Sequence, residues 1–237
     1  MGGVGPAPRV RAGSVGEGPV RHDRVMSKGA GPVGDGRTGG VVHAVVLAGG
    51  SGERLGGVSK ADIVLGGRRL LELVLDGLGP VVSGALVVVA PGSVEVPEGC
   101  RRTLEDPPGG GPLAGIAAGL DVLPEPEGPD ELVLVCGVDT PGIGALAGRL
   151  LRALGEHPGG DGAVAVGGEP KPYRQYLEGL YRRDRLAGLL GRVRVRDRGV
   201  ARTLRVLDLV EVLAPVQQCR DVDSPEDLAW WAERLGG

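Results

Sequence analysis

Residues 42–60 read VHAVVLAGGSGERLGGVSK and are the most informative stretch of the chain. Their first six residues are apolar and rich in β-branched side chains, and the run stops at two glycines, as a strand buried in a parallel sheet does. The Gly-rich loop that follows has backbone N–H groups that can converge on an anion, and Arg54 and Lys60 add positive charge to it. The stretch therefore predicts a buried strand followed by a phosphate-binding loop.

The same strand pattern recurs along the chain and alternates with helical patterns. Further strands are predicted at residues 85–90, 101–104, 132–136 and 163–166, and helices at 68–78, 112–123 and 143–154. After residue 166 the expected elements are a strand or hairpin edge at 173–181, short helices at 182–190 and 200–207, and a capped helix from Ser224 to Leu235. The alternation predicts a doubly wound α/β fold with a mostly parallel sheet, which binds ligands beyond the carboxyl ends of its strands.

Composition excludes several classes of protein. The net charge is −3 and only 2% of the 237 residues are aromatic, so no general nucleic-acid-binding signature is present. No apolar run approaches the length of a membrane span, no secretory signal is visible, and the three cysteines are too scattered for a disulfide framework or zinc site. We therefore expect a cytoplasmic protein, with residues 1–40 as a disordered Gly-rich tail and residues 41–237 as one domain.

Two familiar nucleotide-binding motifs do not fit the first loop. A P-loop needs a lysine directly after its last glycine, but here Gly57 and Lys60 are separated by two residues. The dinucleotide fingerprint fails because Leu55 stands where its third glycine belongs. A looser glycine spacing survives, so an NADP-binding oxidoreductase stays as a weaker alternative. A plain Gly-rich turn is a further alternative, since 46 residues are glycine, although Lys60 is one of only three lysines.

Three motifs, in order, resemble the molybdenum cofactor guanylyltransferase family of nucleotidyltransferases. The first is L-A-G-G-x-x-x-R-L-G-G-x-x-K at residues 47–60, the second is E-D-P-P-G-G-G-P-L-A-G at 105–115, and the third is D-T-P at 139–141. A closing segment, D-V-D-S-P-E-D-L at 221–228, resembles the start of the last helix in these enzymes. The chain departs from the family at Ser59, where an acid is usual, at Asp62 and at the sequence after the second strand.

The resemblance implies a Rossmann-like, three-layer nucleotidyltransferase domain, with a nucleotide half at about 41–166 and an acceptor half at about 167–237. In it, Asp139 would hold Mg²⁺, since an acid at the carboxyl end of a buried strand faces the ligand crevice. Lys60 would neutralise charge at the α- and β-phosphates, and Arg54 at the β- and γ-phosphates. A helix-capping role for Asp139 is the structural alternative.

Further nucleotide contacts are expected from the first two motifs. They comprise backbone groups of the first loop, an acid that would accept from guanine or ribose donors, and the segment implied to contact the base: Leu47, Ala48, Gly49 and Gly50; Asp106; Gly111, Pro112, Leu113, Ala114 and Gly115. The alternative for Asp106 is a turn residue before two prolines.

The resemblance implies Mg-dependent transfer of GMP from GTP to the terminal phosphate of molybdopterin, with release of pyrophosphate. It also implies enzymes that receive the cofactor as partners, without nucleic acid or membrane. The A-G-G at residues 48–50 favours guanine, because cytidylyl-transferring relatives generally read A-A-G. The alternatives are transfer of a nucleotide from CTP to molybdopterin, from GTP to phospholactate or from another nucleoside triphosphate to a sugar phosphate, and a non-catalytic nucleotide-binding module. The acceptor half contains no diagnostic motif, and the basic stretch 181–198 is either an anion contact or a solvated face.

Overall fold

The computed structural model describes residues 1–2, 40–49, 51–52, 57–168 and 171–235 of the chain. Its central element is a seven-stranded sheet. In chain order the strands are β1 (Val42–Leu47), β2 (Ser51–Gly52), β3 (Val58–Ser59), β4 (Val64–Leu65), β5 (Arg68–Arg69), β6 (Leu86–Val89), β7 (Arg101–Thr103), β8 (Leu132–Gly137), β9 (Gly162–Gly167), β10 (Tyr173–Arg182) and β11 (Leu209–Leu213). The helices are a short 3-10 helix (Lys60–Asp62), α1 (Leu70–Leu78), α2 (Pro112–Asp121), α3 (Ile143–Glu156), α4 (Arg183–Leu190), α5 (Val200–Leu204), α6 (Val216–Cys219) and α7 (Pro225–Leu235).

The strands of the sheet follow the order β11-β9-β10-β8-β1-β6-β7, and the four two-residue strands form two small hairpin pairs beside it. Every strand of the sheet except β10 runs in the same direction, because β10 pairs antiparallel with both of its neighbours. The carboxyl ends of β1, β6, β7 and β8 therefore lie along one edge of the sheet, together with the beginning of β10. We call this the carboxyl edge.

Helices cover both faces of the sheet and make three layers. On one face α1 and α3 bury residues such as Leu71, Val74 and Leu150 against alternate residues of β1 and β8. Helices α2, α4 and α5 cover the other face. There Leu113 of α2 and Leu186 of α4 are buried against the remaining strand residues. Burial of apolar side chains on both faces of the parallel strands explains why these strands read as continuous hydrophobic runs. No described helix combines the length and hydrophobicity that crossing a membrane requires.

The elements predicted from the sequence are confirmed, with ends displaced by three residues at most. Of the two alternatives for residues 173–181, the strand is confirmed and the hairpin edge is wrong, because β10 lies between β8 and β9. Burial explains this, since Leu180 and Tyr181 are inaccessible on opposite faces of the strand. The edge strand β11 was not predicted. The expected disorder of residues 1–40 falls mostly outside the described residues, so the predicted division of the chain at residue 41 stays a prediction.

Candidate functional site

Three loops of the predicted site begin side by side at the carboxyl edge. Parallel pairing continues past the end of β1 on both sides, because Ala48 N donates to Val89 O over 2.8 Å and Val138 N donates to Leu47 O over 3.0 Å. Thr103, the last residue of β7, is in register with Val89. The loops after β1, β7 and β8 therefore start at the same level of the sheet.

The centre of the candidate site is an ion pair between Lys60 and Asp139. Lys60 Nζ donates to Asp139 Oδ2 over 2.7 Å and also donates to Asp223 Oδ1. The two residues of the ion pair stand 79 positions apart in the sequence and expose only 17% and 24% of their side chains. Partial burial lowers the pKa of Lys60, but the hydrogen bonds to both carboxylates outweigh this effect and raise that pKa above its ordinary value.

The end of β8 determines where the Asp139 carboxylate lies. A Cβ atom on Gly137 would stand 2.3 Å from Asp139 Oδ1, so the carboxylate folds back over the end of the strand into space that only glycine leaves free. From the other side, Val222 N donates to Asp139 O over 2.8 Å. This hydrogen bond ties the segment before α7, which carries Asp223, to the loop after β8.

Beneath this ion pair lies a second group of acids. The Thr140 hydroxyl lies 3.2 Å from Glu178 Oε1 and 3.0 Å from Asp221 Oδ1. A hydroxyl has one proton to donate, so it satisfies both contacts when one of the two carboxyl groups is protonated. Burial, and then the charge of Asp139, raises the pKa of Asp221 to about 6. Burial, and then the charges of Asp221 and Asp139, raises the pKa of Glu178 well above its ordinary value.

Sequence reasoning did not assign a role to these additional acids. In the sequence, Asp221 and Asp223 stand out only as part of a helix start, and Glu178 does not stand out. The available signals were two acids spaced two positions apart before a capped helix, and one acid inside a predicted strand. A buried acid in such a position needs a polar partner, which here is Thr140.

The second motif forms the loop between β7 and α2. Asp106 is exposed, and its carboxylate makes no hydrogen bond or salt bridge with a described residue, so it does not join the Lys60 ion pair. The neighbouring Glu105 instead organises the loop: its Oε1 accepts from Gly109 N over 3.0 Å and from Gly110 N over 3.2 Å. The predicted contact of Asp106 with guanine or ribose stays a prediction.

The segment 111–115 opens α2 directly beside the first loop. A Cβ atom on Gly115 would lie 3.1 Å from Leu47 Cδ2, so the first turn of α2 packs closely against the end of β1. The side chains of Leu113 and Ala114 are buried in the core, whereas Gly111 and Pro112 are exposed. Any nucleotide contact from this segment would therefore come from its exposed first residues and from backbone groups.

The first loop is described only in part. Ala48 is fully buried and Gly49 is exposed at the carboxyl edge. Gly50 and Arg54 lie outside the described residues, so their predicted contacts stay predictions. The Ser59 hydroxyl, next to Lys60, is buried and has no hydrogen-bond partner in the part of the chain that the structure describes.

The donor set at the carboxyl edge fits Mg²⁺. The carboxylates of Asp139 and Asp223 meet at one cation, the Lys60 ammonium, and therefore offer hard oxygen donors at a single point. Among the described residues, no three His, Cys, Asp or Glu side chains converge as a metal cluster. One or two carboxylates are the usual protein contribution to a Mg²⁺ site that phosphate oxygens and water complete.

A polar cavity of about 340 Å³ opens next to Asp223. Its lining comes mostly from the acceptor half and includes Tyr173, Gln175, Cys219 and Arg220. The Arg220 guanidinium is held by Asp227, at 2.9 Å from Nε to Oδ1, and by the Trp230 ring, at 4.9 Å from its centroid. The cavity therefore presents a fixed cation and an amide beside the acids of the site.

Comparison with known proteins supports the sequence interpretation. Residues 44–212 match the family model described as the MobA-like NTP transferase domain. The chain is 41% identical over 127 residues to the molybdenum cofactor guanylyltransferase of Cereibacter sphaeroides, and this alignment covers 53% of this chain and 61% of that protein. It is 31% identical over 190 residues to the protein of the same name from Rhodopseudomonas palustris, and this alignment covers 78% of this chain and 88% of that protein. The chain thus spans about three fifths of the first relative's length.

Solved structures share the fold. Molybdopterin-guanine dinucleotide biosynthesis protein A from Archaeoglobus fulgidus aligns with a TM-score of 0.60 at 22% identity, covering 82% of this chain and 98% of that one. The 2-C-methyl-D-erythritol 4-phosphate cytidylyltransferase of Thermus thermophilus aligns with a TM-score of 0.61 at 20% identity, covering 83% and 100%. The predicted Rossmann-like, three-layer nucleotidyltransferase fold is confirmed. The chain belongs to the MobA-like NTP transferase domain family.

Proposed function

We propose that this protein is a cytoplasmic, Mg-dependent guanylyltransferase that transfers GMP from GTP to the terminal phosphate of molybdopterin. The observation that carries the proposal is the 2.7 Å contact between Lys60 Nζ and Asp139 Oδ2 at the carboxyl edge. It joins the cation and the acid that the motifs assign to the triphosphate and to the metal. Family membership and the names of the aligned relatives support the same reaction.

In the proposed reaction an oxygen of the acceptor phosphate attacks the α-phosphorus of GTP. The new bond joins that oxygen to the α-phosphorus, the bond to the β-phosphate breaks, and pyrophosphate leaves. The barrier is electrostatic because anions must approach one another, so fixed positive charge and N–H donors lower it. Bound at Asp139 and Asp223, Mg²⁺ would neutralise and orient phosphate oxygens.

The chain's own groups would bind and orient the triphosphate. Lys60 would donate to phosphate oxygens in place of its present carboxylate partners, and its raised pKa keeps it charged at neutral pH. Backbone groups of Leu47, Ala48 and Gly49 would line one side of the nucleotide and the start of α2 the other. The cavity beside Asp223, with Arg220 and Gln175 in its lining, is where we expect the anionic acceptor to bind.

Pyrophosphate release tests the proposal. The purified protein with Mg²⁺ is incubated with each of the four ribonucleoside triphosphates and with molybdopterin, phospholactate or a sugar phosphate. We expect release with GTP and molybdopterin together. Release with CTP, or only with another acceptor, would replace the proposed substrates by one of the alternatives. GTP binding without release from any pair would favour a non-catalytic nucleotide-binding module.

The metal role of Asp139 is tested by Asp139→Asn, which keeps the shape of the side chain and removes its charge. We expect turnover to fall by at least about 100-fold, because one preorganised electrostatic group commonly contributes that much. The melting temperature should stay near that of the wild type, because relief of the repulsion from Asp221 offsets the loss of the ion pair with Lys60. The matched control is Asp184→Asn, at an exposed position of α4, which should change neither quantity. Wild-type turnover in Asp139→Asn would remove the metal role.

A further inference from the structure

The loop 104–111, which we call the base loop, is held by a segment from the other half of the chain. Arg196 lies between α4 and α5, and its guanidinium donates to two carbonyls of the base loop: Nη1 to Pro107 O over 2.7 Å and Nη2 to Pro108 O over 3.3 Å. The next residue adds a backbone bond, from Asp197 N to Gly110 O over 2.8 Å. These contacts join parts of the chain that are almost 90 residues apart.

The backbone groups of the base loop take hydrogen-bond partners from side chains. Pro107 and Pro108 have no N–H group to donate, so two adjacent residues contribute only carbonyl acceptors. Inside the loop, the Glu105 carboxylate accepts from Gly109 N and Gly110 N. Glu105 thus accepts from two backbone N–H groups of the loop, and Arg196 donates to two of its carbonyl groups. The two side chains together define the path of the loop.

An arginine suits this position for a geometric reason. Its planar guanidinium carries several N–H groups in a fixed fork, so one side chain can serve two neighbouring carbonyls. Arg196 Nε lies 3.6 Å from Oδ2 of its acidic neighbour Asp197, and the Arg196 side chain is only 34% exposed. The guanidinium therefore directs its donors mainly to the base loop.

We infer that Arg196 is a positioning residue that holds the base loop in the shape in which it receives the nucleotide. The inference rests on the proposed function, because it assumes that this loop meets the base. Arg196 itself would not touch the nucleotide, so its loss should weaken nucleotide binding and leave the chemical step intact. The contact also makes the nucleotide loop depend on a residue of the acceptor half.

The test compares Arg196→Ala and Arg196→Lys with the wild-type protein. The measurements are KM for GTP and kcat from pyrophosphate release, and amide hydrogen exchange in the base loop. For Arg196→Ala we expect KM to rise about tenfold, as the loss of one or two hydrogen bonds would produce, with kcat within about twofold of wild type. The amides of Gly109 and Gly110 should exchange faster. Arg196→Lys should fall between the two, because an ammonium keeps the charge and loses the fork.

The control is Arg205→Ala, which removes an exposed arginine just after α5 and should leave all three quantities unchanged. Wild-type KM and wild-type exchange in Arg196→Ala would overturn the inference. A fall in kcat with unchanged KM would also overturn it, because Arg196 would then act on the reacting groups. If wild-type protein does not turn over GTP, the proposed function fails, and exchange at Gly109 and Gly110 still decides whether Arg196 holds the loop. Should Arg196→Ala not fold, Arg196→Lys supplies the same comparison.

Discussion

A single ammonium group connects three distant parts of this chain. Lys60 follows the first loop, Asp139 follows β8, and Asp223 precedes α7, yet both carboxylates meet the same Nζ atom. Without a cation between them, the two carboxylates would repel each other. The lysine therefore both prepares the site for a triphosphate and keeps the two acids together.

Replacing Lys60 tests both roles. Lys60→Met should lower turnover by at least about 100-fold, because no other described cation meets these carboxylates. Lys60→Arg should recover part of that loss, because it keeps the charge but distributes its donors differently. Pyrophosphate release measures turnover, and circular dichroism checks that both variants are folded. Equal turnover in Lys60→Met and wild type would contradict a role for this ammonium.

Gly137 offers a second test at this scale, without removing any charged group. In Gly137→Ala the new Cβ would lie 2.3 Å from Asp139 Oδ1, so the carboxylate must leave its present position beside Lys60. We expect a large loss of turnover and a destabilisation of about 1–3 kcal/mol, typical of an overpacked site. Urea unfolding gives the free energy.

The matched control is Gly148→Ala, in α3, where a Cβ atom would meet nothing within 4 Å. Alanine is the better helix former, so this variant should be as stable as wild type or more stable, by up to about 1 kcal/mol, with normal turnover. If Gly137→Ala were as active as its control, the shape of the strand end would not position the acid.

Among the elements, α7 shows how a helix end serves the site. Ser224 Oγ accepts from Asp227 N over 3.2 Å, and the Asp227 carboxylate accepts from Ser224 N over 3.0 Å, which is the reciprocal arrangement of a capping box. The same carboxylate accepts from Asp223 N over 3.2 Å. The cap that starts α7 therefore also fixes the backbone of an acid in the candidate site.

Ser224→Ala should reduce the free energy of unfolding by about 1 kcal/mol, the usual effect of losing an N-cap side chain. Ser224→Thr keeps a hydroxyl at the cap and should restore most of that loss. Thermal or urea unfolding of the three proteins is the measurement. Identical stability of Ser224→Ala and wild type would mean that the cap does not stabilise α7.

The elements also show where prediction from the sequence succeeded. The strand Val42–Leu47 and the helix starting at Pro112 were predicted with the correct first residue, because buried parallel strands and proline-started helices have strong local signals. The strand Leu209–Leu213 was missed because it is short, lies at the sheet edge and contains an acid. For β10 the strand was predicted, but its position in the sheet depends on pairing with β8 and β9, which local sequence does not encode.

At the site, the pairing of Lys60 with Asp139 was predictable because each belongs to a motif at a strand end. The third partner was not, since Asp223 reaches Lys60 only after the chain has completed the sheet and returned, 163 residues later. Glu178 was missed for a related reason. Its burial follows from the central position of β10, which the local sequence leaves open.

At the scale of the whole molecule, the opposite edge of the sheet has its own polar network. His43 lies at the start of β1, and its Nδ1 accepts from Ala85 N over 2.9 Å, so its proton resides on Nε2, which donates to Glu131 Oε2 over 3.3 Å. Glu131 also accepts from Arg183 Nη1 over 2.5 Å. Burial lowers the pKa of His43 despite the opposing effect of Glu131.

This network predicts that His43 contributes less stability in mild acid. Because the folded-state pKa of His43 lies below its ordinary value of 6.5, the unfolded chain takes up a proton there first, and the contribution of His43 to the free energy of unfolding falls as pH drops below about 6.5. The raised pKa values of Asp221 and Glu178 act in the opposite direction, so only a comparison with a His43 variant isolates the histidine. The slope for one such group is at most about 1.4 kcal/mol per pH unit. Despite the cost of its burial, Glu131 has a lowered pKa because of its hydrogen bond to Arg183, so it adds a further loss as pH falls below 4.5.

Urea unfolding between pH 8 and pH 5 measures this dependence. His43→Gln removes the titrating group, so the variant should be less stable at pH 8, and its difference in stability from wild type should shrink as pH falls to 5. Parallel curves for the two proteins would exclude His43 as a source of the pH dependence.

The antiparallel insertion of β10 separates two tasks in space. Because β10 runs against its neighbours, Tyr173 at its beginning lines the cavity of the candidate site, whereas Arg183, just past its end, joins the network at the far edge. Directed evolution could therefore improve robustness at the amino ends of the parallel strands while leaving substrate choice, at the other end, unaltered. One strand thus links two regions of the protein that selection can adjust independently.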